Sequence, residues 1–286
     1  MTIKGQMCFQ NLLRYLFLVK ILEKYKFRIF LIMTEREKLA VLSRELTKLK
    51  DSQIEWLINI VAQFNLPQQF WKNVDSNLIN AAWLEHFGNI LMVHHAMSDA
   101  PFSKEKFEFA FIFASKKAGM TTNKPTSRTN RGHDVTIDQI PMSLKTQADK
   151  SISEDMINIS KFMELGKGEW SLPRLRGLFF KHMESYERIF TLRALSDAES
   201  HKKYELVEIP KALLLGADRG EFEVMENSKQ NPKPGYCRVI DKDGAIRYEL
   251  YFDGGTERKL QIRKIRKELC IVHAIWEFDT TRLFDI

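Results

Sequence analysis

The spacing of apolar residues changes period near residue 120, and that change confines the chain to folds that join a helical layer to a sheet. Between Met33 and Gly119 apolar side chains recur every three to four positions: Leu39, Leu42, Leu46 and Leu49, then Ile54, Leu57, Ile58 and Val61. Such spacing lines one face of a helix. Thr34, followed by Glu35 and Glu37, predicts a capped helix start. Leu78 to Met97, with Trp83, Leu84, Phe87, Ile90 and Leu91, predicts another helix, and Ser103 caps one more that runs to Gly119. The stretch 34–119 therefore reads as helical throughout. Residues 120–132, MTTNKPTSRTNRG, have the composition of an exposed loop, and beyond them the two-residue alternation of strands takes over: HDVTID, a turn at QIP, then MSLKTQ.

Further along, ADKSISEDMINISKFMEL holds Ser153 followed by Glu154, which can be read as a helix cap with a first-turn acid. Ser171 and Pro173 open a long basic helix, LPRLRGLFFKHMESYERIFTLRAL, with Arg174, Arg176, Lys181, Arg188 and Arg193 beside its apolar stripe. That helix either lines a polyanion or partner, or is a solvated face held by pairs such as Glu184 with Arg188. Strands return in GYCRVIDKDGAIRYELYFDGGTERKLQIRKI, where DKDG and DGG mark hairpin turns. The nearly continuous apolar run ELCIVHAIWEF predicts a strand covered on both faces that closes the sheet. The fold class expected is α/β, with a mixed central β-sheet flanked by helices and a helical N-terminal part. Residues 34–286 form one domain in this reading, divided into a helical part (34–119), a hairpin with its helix (120–170), and a long helix with a C-terminal β part (171–286). Residues 1–33 are either a basic amphipathic helix or a leader translated from a start upstream of Met33, and the second reading is preferred.

Charge and cysteine usage narrow the function. Lys and Arg total 44 against 37 Asp and Glu, a net charge of +7, which favours a polyanionic partner over a small acidic substrate. Cations are densest in the C-terminal β part, where Arg238, Arg247, Arg258, Lys259 and Arg263 are joined by Lys264, Arg266 and Lys267. A two-stranded ribbon fits the major groove of DNA, so these residues, with Gln261, Asn227 and Arg131 of the loop ahead of the hairpin, are candidate DNA contacts. The three cysteines, Cys8, Cys237 and Cys270, include no CxxC pair, which suits a reducing cytoplasm better than a disulfide framework. The apolar stretch 11–32 is interrupted by Arg14, Lys20, Glu23, Lys24, Lys26 and Arg28, so no membrane span is expected. No phosphate-binding glycine loop, GxSxG or dinucleotide fingerprint is present, and the histidine spacing suits neither zinc nor a histidine-metal nuclease. His273 is expected to be a core residue, and His94 and His95 point to different helix faces.

The hairpin carries the chemistry. With the turn at QIP, Asp138 faces Ser143 and Asp134 faces Gln147, so Asp134, Ser143, Lys145 and Gln147 share one face. An acid that holds Mg²⁺ beside an ammonium group that steadies a phosphate or an attacking water is the pairing that phosphodiester hydrolysis needs. The segment GHDVTIDQIPMSLKTQ (132–147) resembles the active-site hairpin of the PD-(D/E)XK nuclease superfamily, whose members carry one acid on the first strand and acid-x-Lys on the second. His133 replaces the proline of that pattern and Ser143 its second acid. The resemblance implies a helix after the hairpin that supplies the missing acid. Glu154 is the preferred residue there, with Asp155 and Glu164 as substitutes. It also implies a further acid from the helix ahead of the hairpin, where Glu108 suits better than Glu85. A type II restriction endonuclease is the expected member: a homodimer cutting double-stranded DNA with Mg²⁺, paired with a cognate DNA methyltransferase. Two other readings compete: a DNA-binding protein without hydrolysis, in which Ser143 marks a lost acid, and a repair or recombination nuclease of the same superfamily.

Overall fold

The computed structural model describes residues 33–124, 132–149, 152–195 and 200–280. The chain divides into two compact units, Met1–Ile58 and Asn59–Ile286. The described part of the first holds α1 (Glu35–Leu46) and the start of α2 (Asp51–Phe64). At the head of α1 the Thr34 hydroxyl accepts the Glu37 amide, the cap that the sequence predicts, and the Glu37 carboxylate accepts the Thr34 amide in return.

The second unit is built on two sheets. Its elements are β1 (Gln68–Lys72), α3 (Ala81–His95), α4 (Lys104–Lys117), β2 (Thr122–Asn123), β3 (Val135–Ile137), β4 (Ile140–Gln147) and β5 (Met156–Glu164). They continue with α5 (Leu172–Met183), β6 (Arg188–Ala194), β7 (His201–Glu208), α6 (Lys211–Leu215), β8 (Glu221–Val224), β9 (Gly235–Ile240), β10 (Ile246–Phe252), β11 (Lys259–Arg266) and β12 (Ile271–Asp279). A mixed seven-stranded sheet runs β1-β12-β7-β6-β4-β3-β2, and a five-stranded antiparallel sheet runs β5-β11-β10-β9-β8. Among the described residues only the β4–β6 pair is parallel, because the long connection through β5 and α5 brings the chain back to the same sheet edge.

Each face of the larger sheet has its own core. On one side Val135, Ile137, Met142, Leu144, Phe190, Leu192, Leu206 and Trp276 pack against Trp83, Phe87 and Leu91 of α3 and Phe107 and Phe111 of α4. On the other side Ile189 and Val207 meet α5 through Leu175 and Phe179, together with the inner face of the smaller sheet through Ile157, Ile159, Leu250, Leu260 and Ile262. The architecture is α/β with a mixed central sheet and flanking helices, as the pattern of periods predicts.

Six local expectations fail. Thr122 and Asn123, inside the stretch expected to be an exposed loop, pair with β3 as strand β2. The stretch 34–119 is not helical throughout: Gln68–Lys72 forms β1, paired with β12 along the sheet edge. The helix expected after the hairpin is strand β5, since Ile157, Ile159 and Phe162 bury one face against β11 and tertiary pairing outweighs the acidic cap signal of Ser153 and Glu154. The long basic helix stops at Met183, and RIFTLRA becomes β6, whose alternation puts Ile189, Thr191 and Arg193 on one face and Phe190 and Leu192 on the other. Arg188 therefore pairs with Glu208 rather than Glu184. The run ELCIVHAIWEF begins with a short 3-10 turn (Lys267–Leu269), and β12 lies between β1 and β7 instead of closing the sheet, with one face buried and most of the other only half-buried. Finally, the hairpin register differs. Val135 pairs with Met142 and Ile137 with Ile140, so the turn is Asp138–Gln139, not QIP. Both turn residues have positive φ (45° and 68°), the two-residue geometry whose twist matches the flanking strands.

Candidate active site

The register correction moves Asp134 from Gln147 to Ser143, an even shift that keeps every side chain on its face. Ser143, Lys145 and Gln147 therefore still share the face turned toward β5 and α5, and Asp134 lies opposite Ser143 just beyond the end of β3. Strand β3 is short, and just beyond its end the Asp134 carboxylate takes over the ladder. Its Oδ2 accepts the Leu144 amide at 2.7 Å and the Ser143 hydroxyl at 3.3 Å. Its Oδ1 accepts the ammonium of Lys104, in the first turn of α4, at 2.8 Å. The same ammonium lies 3.7 Å from Oε1 of Glu108, one turn along α4, while Lys124 holds Oε2 of Glu108 at 3.0 Å. Two carboxylates with side chains only 17 % and 15 % exposed thus face a common cation.

Lys145 stands behind this pair. It is 9 % exposed, and its ammonium donates to the Phe162 carbonyl at 3.1 Å and sits 5.3 Å from the centre of the Phe162 ring. Burial pulls its pKa down from the usual lysine range to about 8, although Asp134 and Glu108 oppose the fall. Burial disfavours ionised Asp134, but the charges of Lys145 and Lys104 and the Leu144 amide outweigh it and leave that carboxyl below its ordinary value. Around Lys145, His182 at the end of α5 and Thr191, its partner on β6, each bury a polar atom (Nε2 and Oγ1) that has no hydrogen-bond partner among the described residues. The His182 ring packs edge-on against Phe162, and burial, then the Lys145 charge, lowers its pKa to about 4.

This donor set suits a hard divalent cation. Mg²⁺ takes oxygen ligands and is ordinarily held by one or two carboxylates plus waters and substrate phosphate rather than by a closed protein cage. The pair Asp134 and Glu108 meets that description, and the ammonium between them shows that the geometry already converges on a positive charge. Among the described residues no cluster of three or more His, Cys, Asp or Glu could hold a metal.

The other sequence-derived residues separate from this centre. Glu154 and Asp155 are exposed in the segment leading into β5, where backbone carbonyls of Ser153, Glu154 and Met156 hold the buried Arg193 guanidinium. Glu164 is exposed at the far end of β5 and pairs with Lys161, and Glu85 is exposed on α3. Arg131 lies outside the described residues. Sequence reasoning missed Lys104, Lys124, His182 and Thr191. Only the i,i+4 spacing of Lys104 and Glu108 was a usable sign, since the rest depends on α4 and α5 docking on the hairpin.

Alternation on the smaller sheet sorts its cations. Cys237, Leu250 and Ile262 point into the core, which leaves Tyr236, Arg238, Glu249, Tyr251, Gln261 and Arg263 on the outer face. There the Arg263 guanidinium lies 3.8 Å over the Tyr251 ring and donates twice to the Gln261 side-chain oxygen, at 2.9 and 2.8 Å. Arg238 is tied to Glu249 and Glu223. Arg258 stacks on Trp170 in the β10–β11 loop, Lys259 pairs with Glu257, Arg247 is half-buried on β10, and Asn227 lies in the turn after β8. His273 is a core residue, joined to Ser76 and Glu208. Among the described residues no helix is long and apolar enough to cross a membrane.

Comparison with known proteins adds an independent result. Residues 42–278 match the model of a family described as SmaI, type II site-specific deoxyribonuclease. The chain is also 45 % identical over 231 residues to the type II restriction enzyme SmaI of Serratia marcescens, covering 81 % of this chain and 93 % of that one. No solved structure matches.

Proposed function

The chain belongs to the SmaI family of type II site-specific deoxyribonucleases, and from that premise we propose that it cuts double-stranded DNA at the hairpin centre of Asp134, Glu108 and Lys145 in a PD-(D/E)XK-like manner with Mg²⁺. The observation that supports this reading most strongly is the pair of half-buried carboxylates sharing one cation beside a buried lysine. When bound, Mg²⁺ would polarise the scissile phosphate and lower the pKa of an attacking water. Asp134 and Glu108 would hold it. The Ser143 hydroxyl and Leu144 amide fix the direction of the Asp134 carboxylate. Lys145, anchored by the Phe162 carbonyl, presents its ammonium to the phosphate oxygens and to the attacking water. Ser143 in this reading is a positioning residue and not a substitute ligand.

The outer face of the smaller sheet supplies base contacts, with Arg263 and Gln261 as the readers. A homodimer that places one centre on each strand suits a twofold-symmetric target, and a cognate methyltransferase would protect the same sequence. Incubation of supercoiled plasmid with the protein and Mg²⁺ tests the reading. Discrete bands, lost in Asp134→Asn and Lys145→Ala while duplex binding in Ca²⁺ persists, are expected. Smearing or branch-dependent nicking points instead to structure-directed repair cleavage, and an active Lys145→Ala enzyme removes the hairpin centre from consideration.

A further inference from the structure

We propose that Lys104 is a built-in counter-cation of the active site, whose ammonium occupies the divalent ion's place between Asp134 and Glu108 and must be exchanged for that ion before cleavage. The inference rests on the metal-site reading above and deepens it. Asp134 and Glu108 are both largely withdrawn from water, and a carboxylate so placed without a partner is strongly disfavoured. In the absence of a metal some cation must stand there. Lys104 does so at 2.8 Å from Asp134 and 3.7 Å from Glu108.

Its attachment suits exchange rather than permanent pairing. Lys104 is the first residue of α4, directly after the Ser103 cap, and its side chain is 41 % exposed, so the ammonium can swing into water on a flexible stem. Lys145 cannot do the same, being buried and bound to the Phe162 carbonyl. Lys124 approaches Glu108 from its other oxygen and does not touch Asp134 by any recorded contact. A dication placed between the two carboxylates would lie against the Lys104 ammonium, and their repulsion in a partly desolvated site drives the lysine out. The exchange keeps the site near charge balance in both states.

The test uses the full-length protein and Ca²⁺, which reports loading without turnover. Calorimetric titration of Lys104→Met should show Ca²⁺ affinity raised roughly tenfold over the unaltered protein, the size expected when a competing ligand is removed. Asp134→Asn, titrated in parallel, should lose Ca²⁺ binding. An Asp134→Asn protein that binds as before sinks the metal site itself, whereas loss in Asp134→Asn with unchanged or weaker binding in Lys104→Met sinks only the counter-cation. Should Lys104→Met fail to fold, reductive methylation of the unaltered protein read by mass spectrometry decides the matter: Lys104 labelling should rise several-fold on adding Ca²⁺ while Lys145 stays protected, and equal Lys104 labelling in both states overturns the proposal.

Discussion

Burying the Lys145 ammonium costs the fold stability. Its folded pKa of about 8 lies below the 10.5 of an unfolded lysine, so between these values the unfolded chain holds more protons and stability rises with pH. Below about 8 both states are protonated and the whole cost is present. Lys145→Met removes the charge and keeps the volume. At pH 7 it should raise unfolding free energy by roughly 2 kcal/mol, the pKa displacement less the lost bond to Phe162. The advantage should shrink as pH climbs from 8 toward 10.5, while cleavage is absent throughout. Urea melts at pH 7 and pH 10 check this, and a less stable Lys145→Met at pH 7 would mean the ammonium is well paired. That Ser143 and Lys145 share a face was legible in the sequence because face assignment within a strand depends only on parity, and the register error was even. For Lys104 the i,i+4 spacing with Glu108 was the one sign, and its approach to Asp134, like the place of His182 beside Phe162, depends on helix docking, which no spacing within one segment encodes.

At the scale of elements, the β3–β4 turn and the buried guanidinium of β6 govern how precisely the hairpin is held. Gln139 has φ of 68°, a left-handed backbone that disfavours residues with a Cβ, and its side chain makes no recorded hydrogen bond. Gln139→Gly should therefore stabilise the protein by about 0.5–1 kcal/mol, part of the relief being lost to the greater freedom of unfolded glycine, with cleavage unchanged. A lowered urea midpoint would argue against that turn. Arg193 has the opposite importance. Fully buried, it binds Glu205, the Gln147 side chain at 3.0 Å and three carbonyls in the segment entering β5, so it joins β4, β6 and β7 to the start of the smaller sheet. Arg193→Met leaves the buried Glu205 with only Lys267 at 3.3 Å and should cost about 3–5 kcal/mol. Adding Glu205→Leu should recover part of this in thermal melts, since the stranded carbonyls remain; full additivity of the two losses would show that the pair is not coupled. The sequence shows Arg193 as a surface cation on a helix because RIFTLRA continues the apolar stripe of α5. Pairing on both sides, parallel with β4 and antiparallel with β7, makes it a strand, and neither partner belongs to the segment that carries the stripe.

For the whole molecule, the abundance of Lys and Arg is a poor guide to where DNA lies, because many of these cations are paired with carboxylates inside the structure. Arg238 is held by Glu223 and Glu249, Arg266 by Asp241 and Glu268, and Arg188 by Glu208. The cation density of the C-terminal strands therefore overstates their free charge, although the strand assignment and the turn at DKDG stand, while the second turn is centred on Thr256–Glu257, just past DGG. Arg263 differs from these: its guanidinium has no carboxylate partner among the recorded ion pairs, and Tyr251 and Gln261 hold it flat and fixed. A rigid fork of donors on an outer sheet face is suited to base edges, whereas a mobile cation serves phosphates. Arg263→Ala should weaken binding to the cognate duplex in Ca²⁺ by roughly 1–3 kcal/mol and binding to a scrambled duplex far less, without moving the salt dependence by more than about one ion. Arg238→Ala should instead lower thermal stability, since it leaves the buried carboxylate of Glu249 with the exposed Lys264 at 3.4 Å as its ion-pair partner, and leave discrimination intact. Competition binding with the two duplexes over a salt series separates the cases. Equal losses on cognate and scrambled DNA for Arg263→Ala would reduce that residue to a phosphate contact and move sequence reading to another face of the protein.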